Sequence, residues 1–206
     1  MSFRLIQVGD PSRCGAQCPA AIAAEGEITN STPAAFINFV QRSAAASDLR
    51  SVVFLDSPGG KVVSSMALGQ VFRKLGVATI VARPGSGGSQ FMAGQCFSAC
   101  VYALMGGRRR IIPPQSQVGI HRMFSYESRP DPAGGMLRNI QHDDGGMREV
   151  LARYSSMMGV SRNLVDTAES TSSQSIRVLS QGEIARWRLG ASRLTLDDAP
   201  KVRRRR

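Results

Sequence analysis

The segment SVVFLD, Ser51 to Asp56, is apolar at every position from Val52 to Leu55 and is closed at once by Ser57-Pro58-Gly59-Gly60. A half-buried strand would alternate, and a surface helix would repeat near every 3.6 residues. An unbroken run this short reads as a strand covered on both faces. Such a strand belongs in a sheet with helices packed on it, and the flanking sequence offers candidates. Asn30-Ser31-Thr32-Pro33 is a helix start, with a polar cap and a proline in the first turn; Phe36, Phe39 and Val40 follow at helical spacing to about Ala45. Beyond the Gly-Gly turn, a helix is expected over Lys61 to Leu75, with Val63, Met66, Ala67, Val71 and Leu75 as its apolar face and Gly76 as its stop. Strands are expected at Ala20 to Ile28 and Val77 to Ala82. Strands alternating with helices make the class α/β with one core.

At 206 residues, one domain is the expectation, with enough chain for a sizeable core. No apolar run approaches the roughly 20 residues that a spanning helix needs. The start, MSFRLIQVGD, lacks the pattern of a signal peptide, so the expected compartment is the cytoplasm, or the periplasm or cell envelope if a signal has been removed. The net charge of +11 invites a nucleic-acid reading. Much of the excess, however, sits in Arg108 to Arg110 and in the tail Arg203 to Arg206, and no zinc-finger, helix-turn-helix or aromatic-interleaved basic pattern is present. A solvated basic surface with a disordered basic tail is expected, and nucleic acid is not an expected partner.

The four cysteines form two C-x3-C pairs, Cys14/Cys18 and Cys96/Cys100, a spacing that suits zinc poorly, and no metal is expected. A bridge within the first pair, or between the pairs, stays open for an oxidising compartment. Cys96 and Cys100, read as sharing a helix, would not easily reach disulfide distance and are expected as small buried thiols.

Chemistry concentrates between Gly94 and His121. Arg83 to Gln95 is a Gly- and Ser-rich loop, and Ser98 to Met105 an apolar helix. Arg110 to Pro113 and Val118 to His121 are short strands. A serine hydroxyl needs a base to take its proton and donors for the oxyanion. Ser98 stands where loop becomes helix, so the Ala99 N–H is free to point at a developing negative charge. Gly60, in a turn shaped by Gly59, lets a second N–H approach without an intervening Cβ. His121, held by an apolar strand, is the candidate base; His142 lies in a polar run beside Asp143 and Asp144. Each has a plainer role as well: Ser98 as a helix cap, His121 as a packed side chain, the glycines as a tight turn. Downstream, Phe124 to Gly146 reads as a polar excursion, a lid or an oligomer contact. Helices follow at Met147 to Met158, Ser161 to Glu169 and Leu179 to Trp187, the last with a Ser180/Glu183 capping box.

DSPGG after a strand, a serine opening an apolar helix, then Gly106-Gly107-x-Arg109, proline and a strand ending in His121 together resemble the ClpP peptidase branch of the ClpP/crotonase superfamily, over about residues 20 to 190. Arg177-Val178-Leu179-Ser180 and the helix to Leu189-Gly190 resemble that family's closing segment. Cys-Phe-Ser-Ala-Cys followed by Leu-Met-Gly-Gly is similar, more narrowly, to ClpP-like proteins predicted for the bacterial periplasm. The resemblance implies an α/β fold of repeated β-β-α units in one domain, 20–196, after an N-terminal cysteine-containing segment, 1–19, and before a basic tail, 197–206. It implies a serine peptidase with Ser98 as nucleophile, His121 as base, Gly60 and Ala99 as oxyanion donors, no cofactor, a peptide or protein substrate and a homo-oligomer; an unfoldase partner is left open. The family's third triad member, an aspartate, has no counterpart in Ser173-Gln174-Ser175-Ile176. Asp166 is the expected substitute; Glu169, a hydroxyl, an amide or nothing are the alternatives. The rival expectation is therefore a catalytically weak or inactive ClpP-like scaffold or binding module, in which Ser98 caps a helix and His121 packs. Weaker still are a basic protein binding nucleic acid or anionic lipid, and an acyl-CoA enzyme of crotonase type.

Overall fold

The apolar run becomes an interior strand of a six-stranded sheet. The structure is a computed structural model that describes residues 1–9, 11–14, 18–43, 49–85, 91–130, 135–142 and 145–193. Its strands are β1 (Ser2–Gln7), β2 (Ala20–Glu25), β3 (Leu49–Asp56), β4 (Ala78–Pro84), β5 (Phe91–Ala93), β6 (Gln95–Phe97), β7 (Arg109–Ile111), β8 (Gln117–Ile120), β9 (Phe124–Pro130), β10 (Met136–His142) and β11 (Arg177–Val178). Its helices are α1 (Pro11–Cys14), α2 (Thr32–Ser43), α3 (Val62–Lys74), α4 (Cys100–Met105), α5 (Gly146–Met157), α6 (Asn163–Ser170) and α7 (Gln181–Arg186). β2, β3 and β4 run parallel, β1 lies antiparallel on β2, and β4 carries both parallel β7 and antiparallel β5 on its outer side. A second sheet sets β6 parallel and β11 antiparallel to β8, and β9 with β10 is a separate hairpin.

Both faces of β3 are covered, but unequally. Val53 and Leu55 point into the main core with Phe36, Phe72 and Leu104, each fully buried. Burial of this kind stabilises by about 1.5–3 kcal/mol per side chain. Phe54 faces the other way into a small cluster with Ile6, Ala21, Ala23 and Ala82, closed by Phe91 stacked on it at 4.2 Å. That second cover comes from strand residues. Phe91 belongs to a stretch that reads as loop in the sequence, because β5 and β6 are too short to show a period and exist through their partners.

The segment ahead of residue 20 is part of the sheet. β1 pairs along β2, and Phe3 packs edge-on against Phe36 at 5.2 Å. The polar excursion after His121 forms the β9–β10 hairpin, and Asp143 and Asp144 lie outside the described residues, as does the tail 197–206. No described helix is long and apolar enough to cross a membrane. The capping box of α7 forms as read: Ser180 Oγ accepts from the Glu183 N–H, and the Glu183 carboxylate accepts from the Ser180 N–H at 2.9 Å.

Arg110 departs from the reading of Arg108 to Arg110 as solvated surface. Its guanidinium donates to the carbonyls of Met105, Met158 and Leu189, at 3.3, 3.1 and 2.7 Å, and so joins the C-terminal ends of α4, α5 and α7. Arg73 donates to the Met105 and Met158 carbonyls as well. Burial, and next the charge of Arg73, push the Arg110 pKa down to about 10. Helix C-termini attract cations through their unpaired carbonyls, which explains why two arginines lie together here.

α3 packs on α4 through glycine. A Cβ on Gly69 would meet Tyr154 Oη at 2.1 Å and the Tyr102 carbonyl at 2.7 Å, and the Tyr154 hydroxyl already donates to that carbonyl. Gly69→Ala is therefore expected to lower stability by about 1–3 kcal/mol, read as a shift of the urea midpoint.

Candidate active site

The site is assembled where β3 ends. The Ser57 N–H donates to the Gln95 carbonyl at 2.7 Å, the Phe97 N–H to the Ser57 carbonyl at 3.0 Å, and the Gln95 N–H to Asp56 Oδ1 at 2.8 Å. These bonds fasten the DSPGG turn to β6. The turn then bends at Gly59 and Gly60, with φ of 112° and 135°, a region that L side chains avoid. Ser57 Oγ accepts from the Gly59 N–H at 3.1 Å. A Cβ on Gly59 would stand 2.8 Å from the Phe97 carbonyl and 2.9 Å from Ser98 Cβ, so glycine is required for the approach to Ser98 and not for the turn alone. A Cβ on Gly60 would stand 2.1 Å from the Ile28 carbonyl, which accepts from the Lys61 N–H. Among the described residues, no acceptor meets the N–H of Gly60 or of Ala99.

Ser98 does not open the helix as expected. It lies in the turn between β6 and α4 with φ 55°, and the cap position belongs to Ala99, without a side-chain cap bond. A non-glycine residue held there costs on the order of 1 kcal/mol and marks a backbone that its surroundings dictate. The Ser98 N–H is anchored to the Gly119 carbonyl at 2.8 Å. Cys96 and Cys100 are joined as a disulfide across this turn, with Cα atoms 5.3 Å apart and both residues fully buried. The expectation of free buried thiols fails here. Cys96 is in β6 and Cys100 begins α4, and the left-handed turn at Ser98 brings them to bridging distance. Cys14 and Cys18 form the second disulfide.

His121 follows β8 directly. Its Nδ1 lies 2.8 Å from the Arg122 carbonyl. A carbonyl can only accept, so Nδ1 carries the proton, and in the neutral ring Nε2 keeps its lone pair. Ser98, Ala99 and His121 line one cavity of about 20 Å³, walled also by Val62, Tyr102 and Met123. No hydrogen bond joins Ser98 Oγ to the His121 ring in this structure. Gly59 touches Ser98 from the side, and Gly60 does not line the cavity.

Asp166 is not brought to His121. Its carboxylate is paired with Arg148 at 2.6 Å, on an exposed face. Glu169, one helical turn on, comes closer to the histidine segment. It accepts from the Met123 N–H at 3.3 Å and lies 3.8 Å from Arg122 Nε, while the Arg122 N–H donates to the Thr171 carbonyl at 3.0 Å. The end of α6 thus holds the backbone whose carbonyl engages His121. His142 ends β10, in register with Phe124.

No protein-family model matches the chain, and no curated protein matches it. Solved structures do. The chain superposes on a serine-to-alanine variant of the 1510-N membrane-bound stomatin-specific protease with a TM-score of 0.58, 16% identity and coverage of 86% of this chain and 80% of that one. A lysine-to-alanine variant of the same protease in complex with a substrate peptide gives a TM-score of 0.55 at 16% identity, covering 86% of this chain and 75% of that one. ClpP1 from Listeria monocytogenes gives 0.53 at 18% identity, covering 82% and 88%.

The fold is ClpP-like.

Within this ClpP-like frame, among the described residues no lysine lines the Ser98 cavity, and His121 is the basic side chain that does. Sequence reasoning passed over Tyr102, read only as a helix residue. It lines the cavity, and burial first, then the charge of Glu169, pushes its phenol far up, so it stays neutral. Its spacing four residues after Ser98 was the available signal, since one helical turn returns a side chain toward the start of the helix.

The disulfide across the Ser98 turn closes a very short loop. Replacing Cys96 and Cys100 together with alanine is expected to lower stability by about 2 kcal/mol while leaving the far-ultraviolet circular dichroism unchanged, as read by urea unfolding against the wild type.

Proposed function

We propose that this protein is a ClpP-like serine hydrolase, a peptidase, in which Ser98 and His121 act as nucleophile and base. What supports this reading most is Ser98 itself, held at φ 55° beside His121 in one cavity, with the N–H groups of Ala99 and Gly60 left without acceptors. In the proposed reaction, Ser98 Oγ adds to the peptide carbonyl carbon and its proton passes to His121 Nε2. The carbonyl oxygen becomes an oxyanion that accepts from the Ala99 and Gly60 N–H groups. Collapse breaks the C–N bond, and the leaving amine takes the proton back from the imidazolium. Water then repeats the sequence on the acyl-enzyme, with His121 as base. The Arg122 carbonyl, braced by Glu169 and Thr171, takes the orienting part that a carboxylate plays in a Ser-His-Asp triad. A carbonyl cannot offset the imidazolium charge as a carboxylate does, so modest turnover belongs to the proposal. A cavity of about 20 Å³ admits about one water, and the cleft must widen before a peptide enters.

The proposal extends to a homo-oligomer and a peptide or protein substrate. It also places the chain in an oxidising compartment, the periplasm or cell envelope, which the two disulfides support. The second reading is a ClpP-like scaffold of little or no activity, favoured by the missing hydrogen bond between Ser98 and His121.

A fluorophosphonate probe separates the two. It is expected to label the wild type at Ser98 and to leave Ser98→Ala unlabelled; His121→Ala should slow labelling by about a hundredfold or more. Glu169→Gln should slow it by about tenfold. An unlabelled wild type, beside a control hydrolase that reacts, removes the peptidase reading. Because Ser98 caps no helix, Ser98→Ala is expected to change stability by no more than about 0.5 kcal/mol in thermal melts.

A further inference from the structure

At the end of α4 remote from Ser98, a cleft of about 640 Å³ opens between β7, α7 and the segment after it. Arg108, Arg109, Arg110, Arg188 and Arg193 line it, and among the described residues no acidic side chain does. Arg4, Arg148, Arg162 and Arg177 each pair with a carboxylate, and unpaired arginines outside the cleft, such as Arg42, Arg83 and Arg153, do not line it. Arg110 is spent on backbone carbonyls, and Arg108 gives its Nε to the Arg73 carbonyl at 3.3 Å. The guanidinium groups of Arg109, Arg188 and Arg193 meet no hydrogen-bond or ion-pair partner among the described residues. Three unpaired cations around one concavity repel each other and focus a positive field into it, a surface that an anionic partner completes.

We infer that this cleft docks an acidic peptide segment of a partner protein, one that carries carboxylates beside apolar side chains. Its guanidinium forks suit carboxylates, and the exposed Ala185 and Ala191 line the same cleft and offer apolar contact. A single-stranded nucleic acid fits less well, because among the described residues no aromatic side chain lines the cleft for a base to stack on. An anionic bilayer fits less well too, since a concave site holds its charges back from a flat headgroup plane. The inference uses neither Ser98 nor His121 and stands or falls apart from the peptidase reading.

The test is fluorescence anisotropy with the full chain and a fluorescein-labelled peptide of alternating aspartate and leucine. The expected result is saturable binding that weakens as salt rises. It should weaken by about tenfold or more in Arg109→Gln/Arg188→Gln/Arg193→Gln, a change of about 1.4 kcal/mol. Substituting Arg203 to Arg206 with glutamine should leave it unchanged. The single variants Arg109→Gln and Arg193→Gln, each an exposed or half-exposed side chain without bonds, should show smaller losses in the same direction and serve if the triple variant melts early. No binding of the peptide by wild type overturns the inference. So does a loss caused only by the tail substitutions, or tighter binding of oligothymidylate or phosphatidylglycerol vesicles through the same three arginines.

Discussion

The site depends on the short seam between Ser57 and Cys96. Two backbone bonds and the Asp56 side chain tie the end of β3 to β6, two segments nearly forty residues apart. Everything chemical is hung from that seam. On one side it delivers the two glycines, and on the other it delivers Ser98. The Asp-Ser pair ahead of Pro58 is therefore not merely a polar strand end. Asp56 holds Gln95, and Ser57 is fully buried with its main chain in the seam and its hydroxyl on the Gly59 N–H. Such a seam is rigid because each of its polar groups is satisfied, and leaving any one unmet in a buried position would carry a desolvation cost.

Positive φ angles then do what regular elements cannot. The backbone turns at Gly59, Gly60 and Ser98, so N–H groups that a strand or helix would consume are left unspent. Ser98 is the only one of the three with a side chain, and it is bracketed by a disulfide and anchored to β8 by its own N–H. A strained residue held so firmly is more informative than its type. On sequence alone Ser98 competes with an ordinary helix cap, and that competition ends once the cap position proves to be Ala99 and makes no side-chain bond.

Charge follows a similar division. Arg110 and Arg73 are absorbed into the fold by helix-end carbonyls, whereas Arg109, Arg188 and Arg193 are not absorbed by anything described. A run of three arginines looks uniform in sequence. Its members separate into structural and unpaired ones because β7 alternates its side chains between the helix ends and the open cleft.

The sequence by itself determined the α/β class, the apolar strand at β3, and the helices α2, α3 and α5 to α7 with the Ser180 cap; all of these follow from local period or turn chemistry. The order of motifs singled out Ser98 and His121, which in the structure line one cavity without a hydrogen bond between them. Only the tertiary structure decided that β1, β5 and β6 exist, that Cys96 and Cys100 are bonded, that Asp166 belongs to Arg148, and that a backbone carbonyl of Arg122 meets the His121 ring. The physical reason is range. Periodicity and capping are properties of contiguous residues. A three-residue strand, a disulfide across a left-handed turn and the partner of a carboxylate are set by which distant segments the sheet brings together.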